Sequence, residues 1–428
     1  MNQELFSYLA ASPTPFHAVA HSAKLLEQSG CIRLTEREDW TLEPGKSYYV
    51  TRNGSSLIAF RLPGEDFTGF QIAAAHTDSP CLKIREQAES VSAGCVRLSA
   101  EPYGGMLRFT WTDRPLSIAG RVLVRTERGA EARLIDFGKP VAVIPNVAIH
   151  MNRKANEDMS WNPAVDLLPL YRQEGSAVSL REAVAELAGV KEADLLSWDL
   201  MLYNPQSGVE WGDYISAPRL DDLQCAFSAL KGFLEAKESS AAAVCCLFDN
   251  EEVGSLTKQG ASSTFLRDTL LRVNETCGRT PAEFRQAVAQ SFLLSCDNAH
   301  AVHPNHPEYA DKNHPVRMNG GIVLKFNAMQ KYTSDAVSAA VVRMLCERVS
   351  VPTQIYVNRA DMAGGSTLGN LVNAQVSLNA ADIGLAQLAM HSSFETAGAR
   401  DTEYLVRTLR EFFGTALDIS APNAFCLR

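Results

Sequence analysis

The feature that most constrains the fold is an apolar run that ends in a cluster of acids. Residues 241–248 contain no charge and no proline, and Asp-Asn-Glu-Glu follows directly at 249–252. A short apolar run that ends in polar residues is typical of a strand buried on both faces. Adjacent glutamates repel each other, so a position beside the interior requires a compensating cation or proton. The pattern predicts a site at the edge of an α/β sheet, although an acidic cluster alone more often forms a solvated turn.

Two further apolar runs also lead into side chains that can bind metals. Residues 70–75 are followed by His76 and Asp78, and residues 291–296 are followed by Asp297. A lone histidine after a strand is more often structural, but a nearby aspartate suits a carboxylate that orients a metal-bound imidazole. Because parallel strands end at one edge of a sheet, we expect these side chains to converge.

Three more candidate ligands complete a histidine and carboxylate set without thiolates. Asp221 and Asp222 precede a predicted helix, where an aspartate alone more often caps the helix, and His391 alone carries little information. Such a set suits Zn²⁺, Mn²⁺ or Co²⁺. One metal needs about three ligands and two metals that share a carboxylate need about six, so the sequence supplies enough for either arrangement.

The composition is that of a globular protein and argues against several partners. A chain of 428 residues, 46% apolar and 21% charged, predicts two domains with a large core. The net charge of −9 without a basic run argues against nucleic acid. No apolar stretch reaches the roughly 18 residues that span a bilayer, and no signal-peptide pattern is visible. Ten scattered cysteines without a C-x-x-C pair favour free thiols, so we expect a cytoplasmic protein without a membrane partner.

The pattern of the sequence changes between residues 88 and 210. Short strands with alternating polarity and intervening turns replace the buried strands and helices found on either side. We therefore expect residues 1–87 and 211–428 to form a discontinuous α/β domain, into which residues 88–210 are inserted as a β-rich domain. The strands predicted within this insert include residues 96–98, 107–111, 120–124 and 133–137.

Six segments together resemble motifs of the aspartyl aminopeptidase family. They occur in the family's order between about residue 11 and residue 395, so the resemblance covers nearly the whole chain. The segments are Ala-Ser-Pro-Thr-Pro-Phe-His at 11–17, Ala-His-Thr-Asp-Ser-Pro at 75–80, Pro-Arg-Leu-Asp-Asp at 218–222, Asp-Asn-Glu-Glu-Val-Gly-Ser at 249–255, Asp-Asn-Ala-His-Ala-Val-His-Pro-Asn at 297–305 and Met-His-Ser at 390–392.

The resemblance implies a fold, an activity and an assembly. The fold is a zinc-exopeptidase-like α/β/α sandwich with a mixed sheet and an inserted β-rich domain for dimerisation and oligomerisation. The activity is that of a metallo-aminopeptidase with two Zn²⁺ per subunit, Mn²⁺ or Co²⁺ being alternatives, that hydrolyses amino-terminal residues, preferably Asp or Glu, from peptides. The assembly is a closed homo-oligomer, a dodecamer built from dimers.

The same resemblance assigns roles to residues of the acidic cluster and its partners. Glu251 corresponds to the general base, and Asp78 to the carboxylate that orients His76. Asp221 corresponds to the carboxylate shared by two metals, with Asp222 as the runner-up. The residues implied to hold the metals are His76, Asp221 and Asp297 for one, and Asp221, Glu252 and His391 for the other.

Substrate contacts are also implied by the resemblance. His150, within the predicted insert, corresponds to a residue that enters the active site of a neighbouring subunit. His300, Lys325 and Tyr332 match substrate-contacting positions, and Lys325 suits pairing with an acidic side chain, an ordinary strand-end lysine being the alternative. Two rival functions stay open: the same hydrolase with a neutral or broad residue preference, and a non-catalytic oligomeric scaffold that binds peptides.

Overall fold

The computed structural model of the chain describes residues 1–157, 159–176, 178–421 and 424–428. Within these residues, no helix is both long enough and apolar enough to cross a membrane. The Ser-Pro-Thr-Pro segment at 12–15 separates the first two helices, with Pro15 at the start of the second. The α-helices are α1 (Asn2–Ala10), α2 (Pro15–Gln28), α3 (Leu180–Leu187), α4 (Leu220–Glu235), α5 (Phe265–Thr276), α6 (Pro281–Ala289), α7 (Ala336–Arg348), α8 (Leu368–Gln375) and α9 (Asp401–Phe413).

A nine-stranded sheet with parallel and antiparallel neighbours lies at the centre of the α/β part. Its middle strands pair in parallel, which brings their carboxyl ends to one edge. In order across the sheet, the strands are β1 (Ile32–Arg33), β2 (Ser47–Arg52), β3 (Ser56–Arg61), β13 (Ala242–Phe248), β4 (Phe70–His76), β14 (Phe292–Cys296), β18 (Asn379–Gly384), β16 (Ile322–Phe326) and β17 (Thr353–Val357).

Helices cover both faces of this sheet, which explains why its central strands are apolar throughout. Every residue of β13 is buried. Because side chains alternate along a strand, Cys245 packs in the core cluster that contains residues of α4 and α9, whereas Val244 and Cys246 pack with residues of α5 and α8. The predicted α/β/α arrangement with a mixed sheet is confirmed.

A separate six-stranded antiparallel sheet is formed by residues from 81 to 203. The predicted strand at 107–111 is wrong: residues 108–111 form a 3₁₀ turn, in which the Thr110 hydroxyl donates to the Leu107 carbonyl at 2.7 Å. Such a local bond competes with strand pairing despite the alternating polarity. The domain limits themselves stay a prediction. Across the sheet, the strands are β8 (Gly129–Asp136), β7 (Ser117–Thr126), β10 (Leu195–Tyr203), β5 (Cys81–Ser92), β6 (Cys95–Tyr103) and β9 (Leu170–Gln173).

A smaller five-stranded sheet positions the remaining parts of the candidate site. His391 lies in the turn between two of its strands, and the strand that precedes α4 leads directly to Asp221. The strands in order are β11 (Val209–Trp211), β12 (Tyr214–Ala217), β20 (Glu395–Gly398), β19 (Ala386–Leu388) and β15 (Ala299–His300). Two further strands, β21 (Leu417–Ala421) and β22 (Ala424–Leu427), pair near the carboxyl end.

Candidate metal centre

Three adjacent parallel strands bring candidate ligands to one edge of the central sheet. β4 lies between β13 and β14 and pairs with both in parallel. His76 ends β4, Asp297 follows β14, and the turn after β13 carries Glu251 and Glu252. The convergence expected from the three apolar runs is therefore present, and it follows from the parallel pairing alone.

Asp221 lies between two histidines and joins two groups of ligands. Its Oδ1 is 3.5 Å from Nε2 of His76, and its Oδ2 is 3.2 Å from Nε2 of His391. Asp297 Oδ1 lies 4.0 Å from the same nitrogen of His76, and Glu252 Oε2 lies 3.4 Å from that of His391. Two sets of donors, each compact enough for one ion, thus share one carboxylate.

Several carboxylate oxygens in this cluster are buried without a hydrogen-bond donor among the described residues. They include Oδ1 of Asp221, Oδ1 of Asp222 and Oε1 of Glu252. Leaving such oxygens unpaired in a protein interior is costly, so they normally have a partner. Imidazole nitrogens and carboxylate oxygens converging without thiolates are a donor set that zinc accepts. The residues present therefore fit the metal that the sequence implied.

The charges of the cluster perturb the pKa values of its members. Burial, reinforced by Asp221, raises the pKa of Glu252 well above its ordinary range. Burial is also the main cause that raises the pKa of Glu251 to about 7. Burial alone would lower the pKa of His391, but Asp221 and Glu252 outweigh it and raise that pKa to about 10. The cluster holds more negative charge than its own histidines balance, which is the environment of a cation site.

Asp222 occupies a different position from Asp221 although it is adjacent in sequence. Its Oδ2 accepts a hydrogen bond from the backbone amide of His76 at 3.1 Å. It groups with the donors around His76 and Asp297, but it is absent from the group around His391. Among the two aspartates, Asp221 is thus the one that faces both histidines.

Asp78 supports the turn that carries the two glutamates. Its Oδ1 accepts from the amide of Glu251 at 3.1 Å, and its Oδ2 accepts from the amide of Glu252 at 3.2 Å. The Nδ1 of His76 lies 3.0 Å from the backbone oxygen of Asp78 and 3.4 Å from its carboxylate. The backbone of Asp78 is thus the nearer partner of the imidazole, and its carboxylate is bonded mainly to the glutamate turn.

Glu395 is a buried member of the site that the sequence did not reveal. Its Oε2 accepts from the amide of Asp221 at 3.0 Å, and its Oε1 accepts from the amide of His391 at 2.8 Å. One carboxylate therefore fixes the backbones of two candidate ligands. A single glutamate four residues after His391 has no sequence pattern that distinguishes it from a surface residue.

The predicted substrate contacts Lys325, Tyr332 and His300 lie together beside Asp297. Lys325 Nζ donates to the Asn298 carbonyl at 2.8 Å and lies 3.7 Å from Asp297 Oδ2. The ring of Tyr332 is 5.6 Å from the Lys325 ammonium. His300 is exposed and borders a pocket of about 250 Å³ that is also lined by aromatic, histidine and arginine side chains.

His150 is the predicted substrate contact that the fold of one chain does not bring to the site. It lies in the exposed segment between β8 and β9. Among the described residues, His150 belongs to none of the side-chain groups that are compact enough to hold one ion. Its neighbours Val147, Ile149 and Met151 are apolar and 57%, 47% and 83% exposed, respectively. An apolar exposed segment of this kind is typical of protein contacts.

Comparison with known families decides the class of this centre. The family described as Aminopeptidase I zinc metalloprotease (M18) matches residues 8–413. The chain belongs to the M18 family. It is therefore a metallo-aminopeptidase, which removes amino-terminal residues from peptides, and a non-catalytic scaffold is disfavoured.

Members of the M18 family resemble the chain over nearly its full length. The probable M18 family aminopeptidase 2 of Pseudomonas aeruginosa (strain LESB58) is 42% identical over 429 residues, covering 97% of this chain and 98% of the relative. The solved structure of the Ape4 and Nbr1 complex matches with a TM-score of 0.93 at 33% identity, over 96% of this chain and 85% of that chain. The S. cerevisiae mApe1 dodecamer matches with a TM-score of 0.83 at 30% identity, over 96% and 95%.

Proposed function

We propose that this M18 aminopeptidase uses two zinc ions per chain and prefers acidic amino-terminal residues. The observation that carries the two-metal proposal is the position of Asp221, whose two oxygens face two different histidines at 3.5 and 3.2 Å. A carboxylate that binds one ion needs only one oxygen near a histidine ligand. A carboxylate that is shared between two ions needs one oxygen near each of two ligand sets. The residues that would hold the ions are His76, Asp221 and Asp297 for one, and Asp221, Glu252 and His391 for the other.

Glu251 is proposed as the general base because of where its turn holds it. Zinc, when bound, acts as a Lewis acid on the substrate carbonyl and makes water a better nucleophile. Glu251 neighbours the ligand Glu252, and the Asp78 carboxylate fixes the amides of both. In the proposed reaction, Glu251 accepts the proton of the attacking water and returns it to the leaving amine. Asp78 bonds the backbone amides of the two glutamates, and Glu395 bonds those of Asp221 and His391.

The proposed preference for Asp or Glu rests on Lys325 and its surroundings. The ammonium of Lys325 lies 3.7 Å from Asp297 and 5.6 Å from the ring of Tyr332, and the Tyr356 ring neighbours both Tyr332 and His300. A positive charge at this place suits the side-chain carboxylate of an acidic amino-terminal residue. A second candidate, a neutral or broad preference, is favoured by the existing contacts of Lys325 with Asp297 and the Asn298 carbonyl, which already use much of its charge.

A homo-oligomer is proposed to complete the active site. The exposed apolar segment around His150 suits a contact with a second copy of the chain, in which His150 reaches the neighbouring site. The relative of known structure from S. cerevisiae is described as a dodecamer, and the same assembly is proposed here. Mass measurement in solution tests the size, and His150→Ala should lower kcat/KM without changing the zinc content.

The base is tested by replacing Glu251 with glutamine. This change removes the proton acceptor but preserves the size of the side chain, so turnover should fall by about 10³-fold or more while bound zinc is retained. Zinc content and peptide-amide hydrolysis are measured on the same preparation. Unchanged turnover with zinc bound would remove Glu251 from the proposed role.

The number of metals is tested by His391→Ala, which removes a ligand from one set only. We expect about two zinc ions per chain in the wild type and about one in the variant. Equal zinc contents would contradict the division of ligands. A panel of aspartyl, glutamyl and leucyl amides then tests the residue preference, and a higher kcat/KM for the leucyl amide would replace the acidic preference by the neutral one.

A further inference from the structure

The last residue of β6 and the two glycines that follow it contact the turn that carries the two glutamates and the imidazole of His391. These residues, Tyr-Gly-Gly at 103–105, belong to the six-stranded sheet and its exit, not to the central sheet that carries the strand-end ligands. We propose that the 103–105 segment is a positioning element of the enzyme. Tyr103 fixes the turn that carries Glu251, and the Gly105 carbonyl fixes the imidazole of His391. The proposal rests on the roles proposed above for Glu251 and His391.

The Tyr103 hydroxyl connects two supports of the glutamate turn. It donates to Oδ2 of Asp78 at 2.7 Å and accepts from Nδ2 of Asn250 at 2.8 Å. Asp78 in turn accepts from the amides of Glu251 and Glu252. The Tyr103 hydroxyl therefore links the Asp78 carboxylate to the side chain of Asn250, which begins the turn.

Asn250 sets the shape of this turn, and its side chain is bonded at both ends. It has a φ of 65°, in the left-handed region, which asparagine adopts more readily than most residues with side chains. Oδ1 of Asn250 accepts hydrogen bonds from Thr257 and Gln259, each at 2.8 Å. Nδ2 of the same side chain donates to the Tyr103 hydroxyl. Without the Tyr103 hydroxyl, this amide group and the Asp78 carboxylate each lose one partner.

The Gly105 carbonyl determines which nitrogen of His391 faces the other ligands. Nδ1 of His391 lies 3.0 Å from this carbonyl oxygen, which can only accept, so Nδ1 carries the hydrogen. Nε2 is then the ring nitrogen that faces Asp221 and Glu252, at 3.2 and 3.4 Å, and the one that would bind an ion held by these carboxylates. The amide of Leu107 also donates to the His391 carbonyl at 2.9 Å, so the same stretch of chain fixes both the ring and the backbone.

Steric contact explains why Gly104 lies between these two groups. A β-carbon at Gly104 would be 3.1 Å from Cβ and 3.4 Å from Oε2 of Glu252, and the residue has a φ of +75°. Gly94, in the hairpin between β5 and β6, has the same φ of +75° but nothing within 4 Å of such a β-carbon. The left-handed backbone therefore favours glycine at both positions, but only at Gly104 would a side chain also crowd Glu252.

The hydroxyl is tested by comparing Tyr103→Phe with Tyr203→Phe. Tyr203 also belongs to the six-stranded sheet and donates to an aspartate, Oδ1 of Asp136, at 2.7 Å, but this aspartate is not a candidate ligand. Because outer partners of metal ligands typically contribute 10–100-fold, we expect Tyr103→Phe to lower kcat by about 10–100-fold and to speed zinc release to a chelator by about tenfold. KM should change less than about threefold, and Tyr203→Phe should leave all three values near those of the wild type.

The close approach to Glu252 is tested by Gly104→Ala against Gly94→Ala. Both variants introduce the same left-handed strain, but only the first places a methyl group against Glu252. We expect Gly104→Ala to release zinc at least about tenfold faster than Gly94→Ala. Thermal unfolding of the zinc-loaded variants shows whether faster zinc release is due to general destabilisation of the protein.

The results of these comparisons separate the inference from the function on which it rests. The positioning role of Tyr103 is refuted if Tyr103→Phe matches Tyr203→Phe in kcat and in zinc release. It is also refuted if the activity lost in Tyr103→Phe is fully explained by the fraction of unfolded protein. If Gly104→Ala matches Gly94→Ala, the role of the glycine contact is refuted. Retained turnover in the Glu251→Gln variant would instead refute the proposed base, whatever the Tyr103 variant does.

Discussion

Replacing Lys325 by methionine tests the charge balance of the metal centre. The Lys325 side chain is only 4% exposed, and its ammonium lies 3.7 Å from Oδ2 of Asp297. It also donates to the Asn298 carbonyl at 2.8 Å. Methionine has a similar volume but neither the charge nor the donor. The variant therefore removes the ammonium beside a buried carboxylate and one hydrogen bond to a buried carbonyl, with little change in packing.

The expected loss of stability depends on whether zinc is present. Breaking one side of a buried ion pair costs about 3–5 kcal/mol, and removing the donor to a buried carbonyl costs about 1–3 kcal/mol. These costs overlap, so we expect chelator-treated protein to lose about 4 kcal/mol. If Asp297 binds zinc as proposed, the ion supplies the missing positive charge, and mainly the hydrogen-bond cost is left. The zinc-loaded variant should therefore lose about 2 kcal/mol less than the chelator-treated variant.

Urea unfolding at one protein concentration measures both losses, because assembly also contributes to apparent stability. The variants Asp297→Asn, Lys325→Met and the double variant form a cycle that isolates the interaction between the two side chains. We expect the double variant to lose less than the sum of the single variants. Equal losses of unfolding free energy with and without zinc would contradict the expected compensation by the ion. Additive losses in the two single variants would contradict an interaction between Lys325 and Asp297. The same proteins, assayed with aspartyl and leucyl amides, show whether Lys325 also recognises the substrate.

Two further predictions concern residues outside the ligand set. Burial raises the pKa of Asp401 to about 6, so the stability it contributes is present below about pH 4 and is lost as the pH rises through 6. The free energy of unfolding of the wild type, measured with urea, should fall relative to that of Asp401→Asn between pH 4 and 7, by at most about 3 kcal/mol, and a constant difference would contradict this. A β-carbon at Gly384 would overlap the Asp297 carbonyl oxygen, whereas Gly365 has open space. Gly384→Ala should cost about 3 kcal/mol and weaken zinc binding, and a result equal to Gly365→Ala would exclude this contact.

The parts of the site that follow strand ends were predictable because their positions depend on local patterns. The apolar runs before His76, Glu252 and Asp297 predicted buried strands, and parallel pairing then required their ends to meet. The Asn-Gly dipeptide at 53–54 follows a local rule of the same kind, because it forms the turn between β2 and β3 with φ of 58° and 68°. The identity of the ligands was implied by motif resemblance, since spacing alone leaves Asp221 and Asp222 equivalent.

Contacts between distant segments were not predictable from these patterns. The Gly105 carbonyl and the His391 imidazole are separated by 286 positions, and nothing in either segment specifies the other. Glu395 and Tyr103 have single polar groups in otherwise ordinary sequence, so only the arrangement of three sheets reveals their partners. The 107–111 segment shows the opposite failure, because alternating polarity predicted a strand where threonine hydroxyls stabilise a turn.

The acidic turn after β13 is compatible with a stable fold only because its charges have different partners. Asp249 is buried and accepts from the amide of Asn250 at 2.7 Å, so it supports the turn itself. The amides of Glu251 and Glu252 are held by Asp78, but Oε1 of Glu252 has no donor in the described residues. The protein thus satisfies the backbone of the turn and leaves carboxylate oxygens for a cation. We therefore expect folding and metal binding to be coupled in this chain, because an ion would relieve a cost that the fold creates.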